Sequence, residues 1–286
     1  MSLLNFSKLT VIIITYNSSH CLINLSKYLT NLKNLIFVDN NSTDGTLNKI
    51  LFLFPNAKLI RNEENYGYGK AANLVLEIVK TPYSLILNPD CILNENFLSN
   101  LYTVSLLFPK AAIIAPKLIN KKKKPILSFW WIRNNQKFSK IQPIGPCCVG
   151  NVSGAVMLLN MKIMNNIGFF DEKFFLYYED EDLCRRVFEK KKEIIFFPEV
   201  KVTHLSRSST KGFLQIKPDF IRGFHHVQSK LKFEKKYFGK KRASQLRYRL
   251  FFFSIILLLL NIFFPYPRTL SKTFGRLLGL FKFKLI

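Results

Sequence analysis

The first 90 residues alternate between short apolar runs and longer stretches with helical spacing. The run Leu9–Thr15 is rich in β-branched residues, which is typical of a strand buried on both faces. Further strands are predicted over residues 35–38, 57–61 and 83–87, and helices over residues 22–30, 46–54 and 69–80. This alternation predicts an α/β fold with a mostly parallel sheet flanked by helices. Right-handed connections then bring the loops that follow the strands to one edge of the sheet.

The second half of the chain changes character twice. Four lysines at 121–124 mark an exposed loop, and a region rich in aromatic and turn residues follows. Two β-like stretches are predicted over residues 193–197 and 200–204, and from about Lys217 the pattern is helical and basic. We therefore predict an α/β domain over residues 1–215 and a helical tail over residues 216–286.

The charge of the chain is concentrated in that tail. Of 43 basic and 18 acidic residues, 17 basic and 2 acidic residues fall in 211–286, which indicates a localised anionic partner. The apolar run over 250–264 is 15 residues long and is flanked by arginine and lysine. A spanning helix needs about 20 residues, so the tail is predicted to lie in the plane of an anionic membrane surface. The alternatives are a helical cap packed on the α/β domain and a tilted or re-entrant insertion into the membrane.

Two other observations limit the partners and the location. The chain contains no recognisable nucleic-acid-binding module, so no nucleic-acid partner is expected. Its 5 cysteines are irregularly spaced, without a CxxC pair or a zinc pattern, and reduced thiols fit best. We expect a peripheral protein on the cytoplasmic side of the membrane.

Polar residues follow three of the predicted strands. Thr15 and Asn17 follow the first, the segment 39–44 follows the second, and the segment 88–90 follows the fourth. Loops of this kind form nucleotide sites in α/β folds. Asp39 is suited to accept hydrogen bonds from a base or ribose, and Asp90 to bind a hard divalent cation. For residues 42–44, helix capping and turn formation explain the same residue types.

Four adjacent carboxylates occupy residues 179–182. Because they repel one another, at least one is expected to face a cation, a basic group or solvent. One interpretation is that a carboxylate of this cluster is a general base that deprotonates a hydroxyl. The alternative is an acidic helix N-terminus paired with Arg185 and Arg186. His204 ends the last β-like stretch and is either a structural histidine or a further metal ligand.

The ordered motifs of residues 8–210 resemble glycosyltransferase family 2, particularly its rhamnosyltransferase-like branch. The motifs are Val11-Ile-Ile-Ile-Thr-Tyr-Asn17, Val38-Asp-Asn-Asn-Ser-Thr-Asp-Gly45, Asn65-Tyr-Gly-Tyr-Gly69 with Asn73, Leu87-Asn-Pro-Asp90, Ser153-Gly-Ala155, Gly168-Phe-Phe-Asp-Glu172, Phe175-Leu-Tyr-Tyr-Glu-Asp-Glu-Asp-Leu183 and His204. The resemblance implies a GT-A fold, an inverting mechanism, and Mg²⁺ or Mn²⁺ as cofactor.

The resemblance also implies roles for individual residues. The residues expected to bind the nucleotide-sugar donor are Thr15, Asn17, Asp39, Asn65, Gly69 and Asn88. Asp90 resembles the metal-binding end of the family's DxD-type motif, in which Asn88 replaces the first acid. Asp180 resembles the catalytic base, and His204 a metal or diphosphate ligand.

Together these residues predict an enzyme that moves a sugar, with rhamnose favoured, to a glycan or lipid-linked acceptor during surface polysaccharide synthesis. Two other functions fit parts of the sequence. A sugar-nucleotide-forming nucleotidyltransferase is one, although the glycine- and arginine-rich N-terminal phosphate loop expected of it is missing. A non-catalytic membrane-bound assembly scaffold is the other, and the joint presence of Asp39, Asp90, Asp180 and His204 argues against it.

Overall fold

The computed structural model describes residues 6–131, 143–205, 216–263 and 265–284. The chain divides into two compact units. The first comprises Met1–Asp171 and Asp180–Ser209, and the second comprises Glu172–Glu179 and Thr210–Ile286. Beyond the predicted tail, the second unit therefore includes the eight residues of Glu172–Glu179.

Strands and helices alternate along the first unit as the apolar pattern predicts. The strands are β1 Leu9–Thr15, β2 Leu35–Asp39, β3 Lys58–Arg61, β4 Tyr83–Leu87, β5 Cys91–Ile92, β6 Ala111–Ile119, β7 Phe129–Trp130, β8 Cys147–Cys148, β9 Asn151–Val152, β10 Val156–Asn160 and β11 Glu193–His204. The helices are α1 Ile23–Leu29, α2 Thr46–Leu53, α3 Tyr68–Leu76, α4 Phe97–Leu107, α5 Met161–Met164 and α6 Glu179–Glu189.

In the described part of the chain, nine strands form one mixed sheet in the order β3-β2-β1-β4-β10-β6-β11-β5, with β8 paired to β11. The first four strands are parallel, and their register places Thr15 beside Asp39 at the carboxyl ends of β1 and β2. β10 is antiparallel to both β4 and β6, and β11 runs parallel to β6. This arrangement confirms the predicted mostly parallel sheet flanked by helices.

The core lies on both faces of this sheet. Val11 and Ile13 belong to one apolar cluster, with Phe37, whereas Ile12 and Ile14 belong to the other. All seven residues of β1 are buried. Because successive side chains of a strand point to opposite faces, a continuous apolar run serves both clusters at once.

Two predicted element boundaries are wrong. The helix predicted over residues 69–80 begins at Tyr68 and ends at Leu76. The two β-like stretches at 193–197 and 200–204 form one strand, β11. Its register against β6 shifts between Phe197 and Lys201, which is the position of Pro198. Because proline has no N–H to donate, the strand passes it with an irregularity and then resumes pairing.

The second unit is built from α7 Ile216–Phe263 and α8 Pro267–Lys282. Within α7, Gly239 has φ 87° and ψ 168°, so the helix is broken there. Arg242 and Glu234, on either side of the break, form an ion pair at 3.1 Å. Both parts of α7 contribute to a small apolar cluster with α8, which includes Leu231, Leu250 and Leu280.

Among the described residues, α7 is the one helix that is long and apolar enough to cross a membrane by length and composition. An 18-residue window of it has a mean hydropathy of 1.8, and 11% of that window is buried. Residues 250–263 of the apolar run of the sequence are thus part of a longer helix. Its length by itself no longer argues against a span.

Candidate active site

The ends of β1 and β2 are joined by a buried hydrogen-bond network around Asp39. The Thr15 hydroxyl donates to Asp39 Oδ1 at 2.8 Å, and the Ser42 hydroxyl donates to the same oxygen at 2.6 Å. The backbone N–H of Ser42 donates to Asp39 Oδ2 at 2.8 Å. Thr15 and Asp39 have no exposed surface. Their clearest role in the structure is to hold the two loops together beneath the edge of the sheet.

Asn17 lies closer to the surface of the same edge. Its backbone has φ 51°, a left-handed conformation that asparagine tolerates better than most residues. Its N–H donates to the Ser42 hydroxyl at 2.8 Å, and its Oδ1 accepts from the Thr43 N–H at 2.8 Å. The side chain is partly exposed, so Asn17 is better placed than Asp39 to meet a ligand directly.

Asp44 performs the turn chemistry that its residue type suggests. Its Oδ1 accepts hydrogen bonds from the N–H and hydroxyl of Thr46, and its Oδ2 accepts from the Ser19 N–H. Burial acts to raise the pKa of Asp44, but the hydrogen bonds from Thr46 and Ser19 outweigh it and leave that pKa lowered. Asp44 thus connects the first loop to the start of α2.

The loop before α3 is attached to the end of β2. The Asn40 side chain donates to the Gly67 carbonyl at 3.1 Å. Asn65 Oδ1 accepts from the Gly67 N–H at 2.9 Å and forms the turn that leads into α3. Gly69 is buried in the first turn of that helix. Asn65 and Gly69 therefore lie beside the first two loops, as the predicted donor site requires.

Hydrogen bonds through Gly154 connect Asp180 with Tyr68, the first residue of α3. The Tyr68 hydroxyl donates to the Gly154 carbonyl at 2.8 Å, and the Gly154 N–H donates to Asp180 Oδ2 at 2.8 Å. A Cβ atom at position 154 would lie 3.2 Å from Asp180 Cβ. Glycine therefore permits the close approach that brings the Gly154 N–H onto the carboxylate.

The local environment of Asp180 modifies its acidity. Burial raises the pKa of Asp180, and hydrogen bonds from the N–H groups of Gly154 and Glu181 partly offset the increase. A carboxylate with a raised pKa is a stronger base than an ordinary aspartate, which suits proton abstraction.

The rest of the acidic cluster has structural partners. Asp182 is buried and forms an ion pair with Arg186 at 2.9 Å. Arg186 also donates to the carbonyls of Ile167, Gly168 and Phe169, which attaches that segment to α6. The interpretation as an acidic helix N-terminus paired with arginine fits Asp182. Asp180 is held by backbone N–H groups instead, and its role as a general base stays a prediction.

The segment after β4 lies next to Gly154. The Asn88 N–H donates to the carbonyl of Ala155, the residue that follows Gly154, at 2.9 Å. The Asp90 carbonyl accepts from the Leu205 N–H at 3.0 Å, and β5 pairs with the end of β11 through Cys91 and His204. The folded chain therefore brings Asp90 and His204 together although 114 positions separate them in the sequence.

Asp90 and His204 form the candidate metal centre. His204 Nε2 lies 3.1 Å from Asp90 Oδ1, yet Asp90 Oδ1 is buried without a hydrogen-bond partner, so the approach lacks hydrogen-bond geometry. Asn88 Oδ1 is likewise buried and has no hydrogen-bond partner.

A carboxylate oxygen and an imidazole nitrogen suit Mn²⁺, and oxygen ligands also suit Mg²⁺. The described residues contain no group of three or more His, Cys, Asp or Glu side chains that could hold a metal. The donor set fits a cation whose remaining ligands come from a diphosphate and water.

Hydrogen bonds and adjacency in the chain together link the nine predicted site residues. Tyr68 and Gly154 are the links that sequence reasoning missed. The motif Ser153-Gly-Ala155 contains Gly154, but the sequence did not indicate what Gly154 does. Nothing in the sequence indicated that Tyr68 contacts a residue 86 positions away. Asn73 has a comparable role, since its amide exchanges two hydrogen bonds with the backbone of Phe170.

The fold of the first unit is of the GT-A type. A mannosyltransferase from Pyrobaculum calidifontis, solved with GDP-Man and Mn²⁺, has a similar structure, with a TM-score of 0.56 and 14% identity over 96% of this chain and 85% of that chain. GalNAc-T7, solved with UDP, GalNAc and Mn²⁺, has a TM-score of 0.55 and 15% identity over 78% of this chain. The match spans about half of the GalNAc-T7 chain, 51%.

Residues 10–167 match the family model of Glycosyl transferase family 2, so the chain belongs to that family. One relative is an N-acetylglucosaminyl-diphospho-decaprenol L-rhamnosyltransferase of Mycobacterium tuberculosis. The two sequences are 24% identical over 71% of this chain and 77% of the relative. The predicted family, with rhamnosyltransferase-like relatives, is confirmed.

Proposed function

We propose that this family 2 glycosyltransferase is an inverting, metal-dependent enzyme. It moves a sugar, with rhamnose favoured, from a nucleotide-diphosphate donor to a glycan or lipid-linked acceptor in surface polysaccharide synthesis. The observation that carries the proposal is that hydrogen bonds tie together the loops that carry Thr15, Asp39, Asp90 and Asp180. The name of the mycobacterial relative supports rhamnose and a diphosphate-linked lipid.

The proposed reaction is a single displacement at the anomeric carbon of the donor sugar. The acceptor hydroxyl oxygen forms a bond to that carbon while the bond from the carbon to the diphosphate oxygen breaks. Asp180 takes the hydroxyl proton, and the nucleoside diphosphate leaves with the bonding electron pair. A Mg²⁺ or Mn²⁺ ion held by Asp90 and His204 would offset the negative charge on the leaving diphosphate.

The residues around Asp180 keep it in position for this step. The Gly154 N–H binds one carboxylate oxygen and the Glu181 N–H binds the other. Tyr68 holds the Gly154 carbonyl from α3, next to the loop proposed to bind the donor. Asp180 is thereby fixed relative to that loop, and such positioning lowers the barrier of a reaction between two bound substrates.

Donor binding is expected to stabilise the folded protein in a nucleotide-specific manner. A ligand at about 100 times its Kd adds about 2.7 kcal/mol, which for a protein of this size corresponds to roughly 5 to 10 °C in melting temperature. We expect such a shift with one nucleotide sugar in the presence of Mn²⁺ and a smaller shift with EDTA. Thermal melting across UDP-, GDP- and dTDP-sugars measures it.

Activity assays on the same set of donors separate the alternative functions. A nucleotidyltransferase binds a nucleoside triphosphate with a sugar phosphate and releases pyrophosphate, so that pattern would replace the proposed one. A scaffold without catalysis is indicated if the donor binds but is neither transferred to an added acceptor nor slowly hydrolysed.

We further propose that residues 216–286 attach the enzyme to the cytoplasmic face of an anionic membrane as a peripheral protein. Exposed apolar side chains cover the last part of α7 and one side of α8: Phe252, Phe253, Ile256, Leu259, Leu260, Ile262, Phe263, Phe274, Leu278 and Phe281. Phe263 keeps 77% of its surface exposed. The flanking basic residues each contribute about 1 kcal/mol near an anionic surface.

Flotation with liposomes tests the attachment. The protein is expected to float with vesicles that contain 30% phosphatidylglycerol and to float less as salt is raised, because screening weakens the electrostatic part. Replacing Phe252 and Phe263 with serine is expected to reduce flotation. The control is Ile78→Ser, which replaces an exposed apolar side chain of the first unit and is expected to leave flotation unchanged. Protein that stays soluble with anionic vesicles would contradict the proposal.

A further inference from the structure

A cationic cluster lies in the second unit. It consists of His226 and Lys230 on α7 and of Lys272 and Arg276 on α8. Residues four positions apart share one face of a helix, so each helix contributes one such pair. The charges of Lys230, Lys272 and Arg276 all act on His226.

The two helices are close enough to bring these pairs together. A Cβ atom at Gly223 would lie 2.1 Å from the Lys272 carbonyl oxygen, and one at Gly275 would lie 2.0 Å from the Phe220 carbonyl oxygen. The backbones therefore touch at these glycines, one turn from His226 and adjacent to Arg276. Close packing of the helices makes the cluster a fixed feature of the unit.

Arg276 is the least satisfied member of the cluster. Its Nη1 atom is buried without a hydrogen-bond partner, and burial lowers the pKa of its guanidinium group. The group lies 5.8 Å from the centre of the Phe253 ring, at the border of the exposed apolar side chains of α7. A buried guanidinium nitrogen with an open donor position indicates an anion as its partner.

The two acidic residues of segment 211–286 are engaged elsewhere. Asp219 binds Arg222 at 3.0 Å and Arg268 at 2.8 Å, and Glu234 binds Arg242 at 3.1 Å. The ion pairs of these two residues are thus with arginines other than Arg276. Burial and the surrounding cations lower the pKa of His226 to about 4, so His226 is neutral at neutral pH and adds hydrogen-bonding capacity rather than charge.

Two tyrosines border the cluster in an unusual conformation. Tyr177 and Tyr178 both have φ 69°, and their rings each lie 5.6 Å from the His226 ring. Left-handed conformations at consecutive aromatic residues are uncommon and are retained mainly where function requires them. The chain continues from Tyr178 directly into Glu179 and Asp180.

We propose that Lys230, Lys272 and Arg276, together with His226, bind the diphosphate group of a lipid-linked acceptor. This inference rests on the proposed function, which assigns the enzyme a lipid-linked acceptor. A diphosphate offers several anionic oxygens to a guanidinium and two ammonium groups. Phe253 and the neighbouring exposed apolar residues provide a surface for the start of the hydrocarbon chain. Arg276 is the central contact.

Binding of geranyl diphosphate to the full chain, without donor or metal, tests the site by calorimetry. Arg276→Gln and Lys272→Gln are each expected to weaken binding by about tenfold or more, because each removes a charged hydrogen bond. Arg276→Lys should recover part of the loss. Lys241→Gln is the matched control, since it removes one exposed positive charge from the same unit and is expected to leave the affinity unchanged.

Three outcomes would overturn the assignment. The first is equal affinity of the wild type and both glutamine variants for geranyl diphosphate. The second is that Arg276→Gln weakens the binding of UDP as much as that of geranyl diphosphate, because the site would then belong to the donor. The third is that Arg276→Gln reduces flotation on phosphatidylglycerol vesicles as much as it reduces the binding of geranyl diphosphate. The cluster would then be a phospholipid headgroup site.

Different results would contradict the proposed function and the proposed diphosphate site. A protein that binds a nucleotide sugar but not geranyl diphosphate keeps the proposed transferase function and contradicts the site. A protein that binds geranyl diphosphate through Arg276 but binds no nucleotide sugar supports the site and contradicts the donor half of the proposed function.

Discussion

Replacing Asp180 with asparagine is expected to reduce sugar transfer by about 10²- to 10⁴-fold, the contribution typical of a general base. Asparagine keeps the shape of the side chain, and its oxygen can still accept the Gly154 N–H. Donor binding is therefore expected to remain, so the loss falls on kcat. Transfer rates from purified donor to acceptor, with donor affinity measured in parallel, test this expectation.

Glu181→Gln is the control for that substitution. It removes one negative charge from the same turn of α6, whereas the carboxylate held by Gly154 belongs to Asp180. We expect Glu181→Gln to keep most of the activity. An active Asp180→Asn enzyme would exclude Asp180 as the base.

The pH dependence gives a second measure of the same role. A base acts in its deprotonated form, and burial raises the pKa of Asp180. Activity should therefore fall as the pH drops, and the fall in kcat/KM should begin above the pKa of about 3.9 of an ordinary aspartate. An acid limb centred at or below that value would contradict the assignment.

The parallel part of the fold could be predicted because it is encoded locally. The apolar run of β1 supplies both faces of the sheet, and the polar residues after β1, β2 and β4 mark where each strand ends. The helix α3 was predicted to continue to residue 80 but ends at Leu76. The strand β11 was predicted as two stretches but continues past Pro198. Both depend on packing and on pairing with β6, which local patterns do not contain.

The site was predictable as a set of positions but not as a set of contacts. Asp90 and His204 were both expected from their motifs, and the structure adds that β5 pairs with β11 to bring them together. The Tyr68 hydroxyl and the Gly154 N–H were missed because they act across 86 and 26 sequence positions. Long-range hydrogen bonds of this kind have no signature in a single sequence. The roles of the nine site residues stay predictions.

The tail shows the limit of arguing from charge and length. Composition predicted helices and basic character after residue 216, which the structure confirms. It did not predict the break at Gly239, or that Glu172–Glu179 belongs to the same unit. The Ser229 hydroxyl bonds the Leu176 carbonyl at 2.9 Å, and Phe175 stacks on His225. These contacts explain why that segment groups with the helices.

Removing the Asp90 carboxylate is expected to give the second large effect. Asp90→Ala eliminates one of the two side chains proposed to hold the metal, and its Oδ1 atom has no hydrogen-bond partner whose loss would complicate the result. A metal contributes several kcal/mol of charge stabilisation to the transition state, which corresponds to about 10²- to 10³-fold in rate. Calorimetry with the donor nucleotide should show that Mn²⁺ strengthens binding in the wild type and has little effect in Asp90→Ala.

The matched control is Glu95→Ala, which removes an exposed carboxylate five positions further along the chain and should leave the metal dependence unchanged. His204→Ala is expected to weaken the Mn²⁺ effect in the same direction, because the two side chains meet at 3.1 Å and would share one ion. If Asp90→Ala retained the full effect of Mn²⁺ on donor binding, the metal would have to be held elsewhere. Loss of the effect in Asp90→Ala alone would leave His204 as a partner of the diphosphate instead, since a neutral imidazole N–H can donate to a phosphate oxygen.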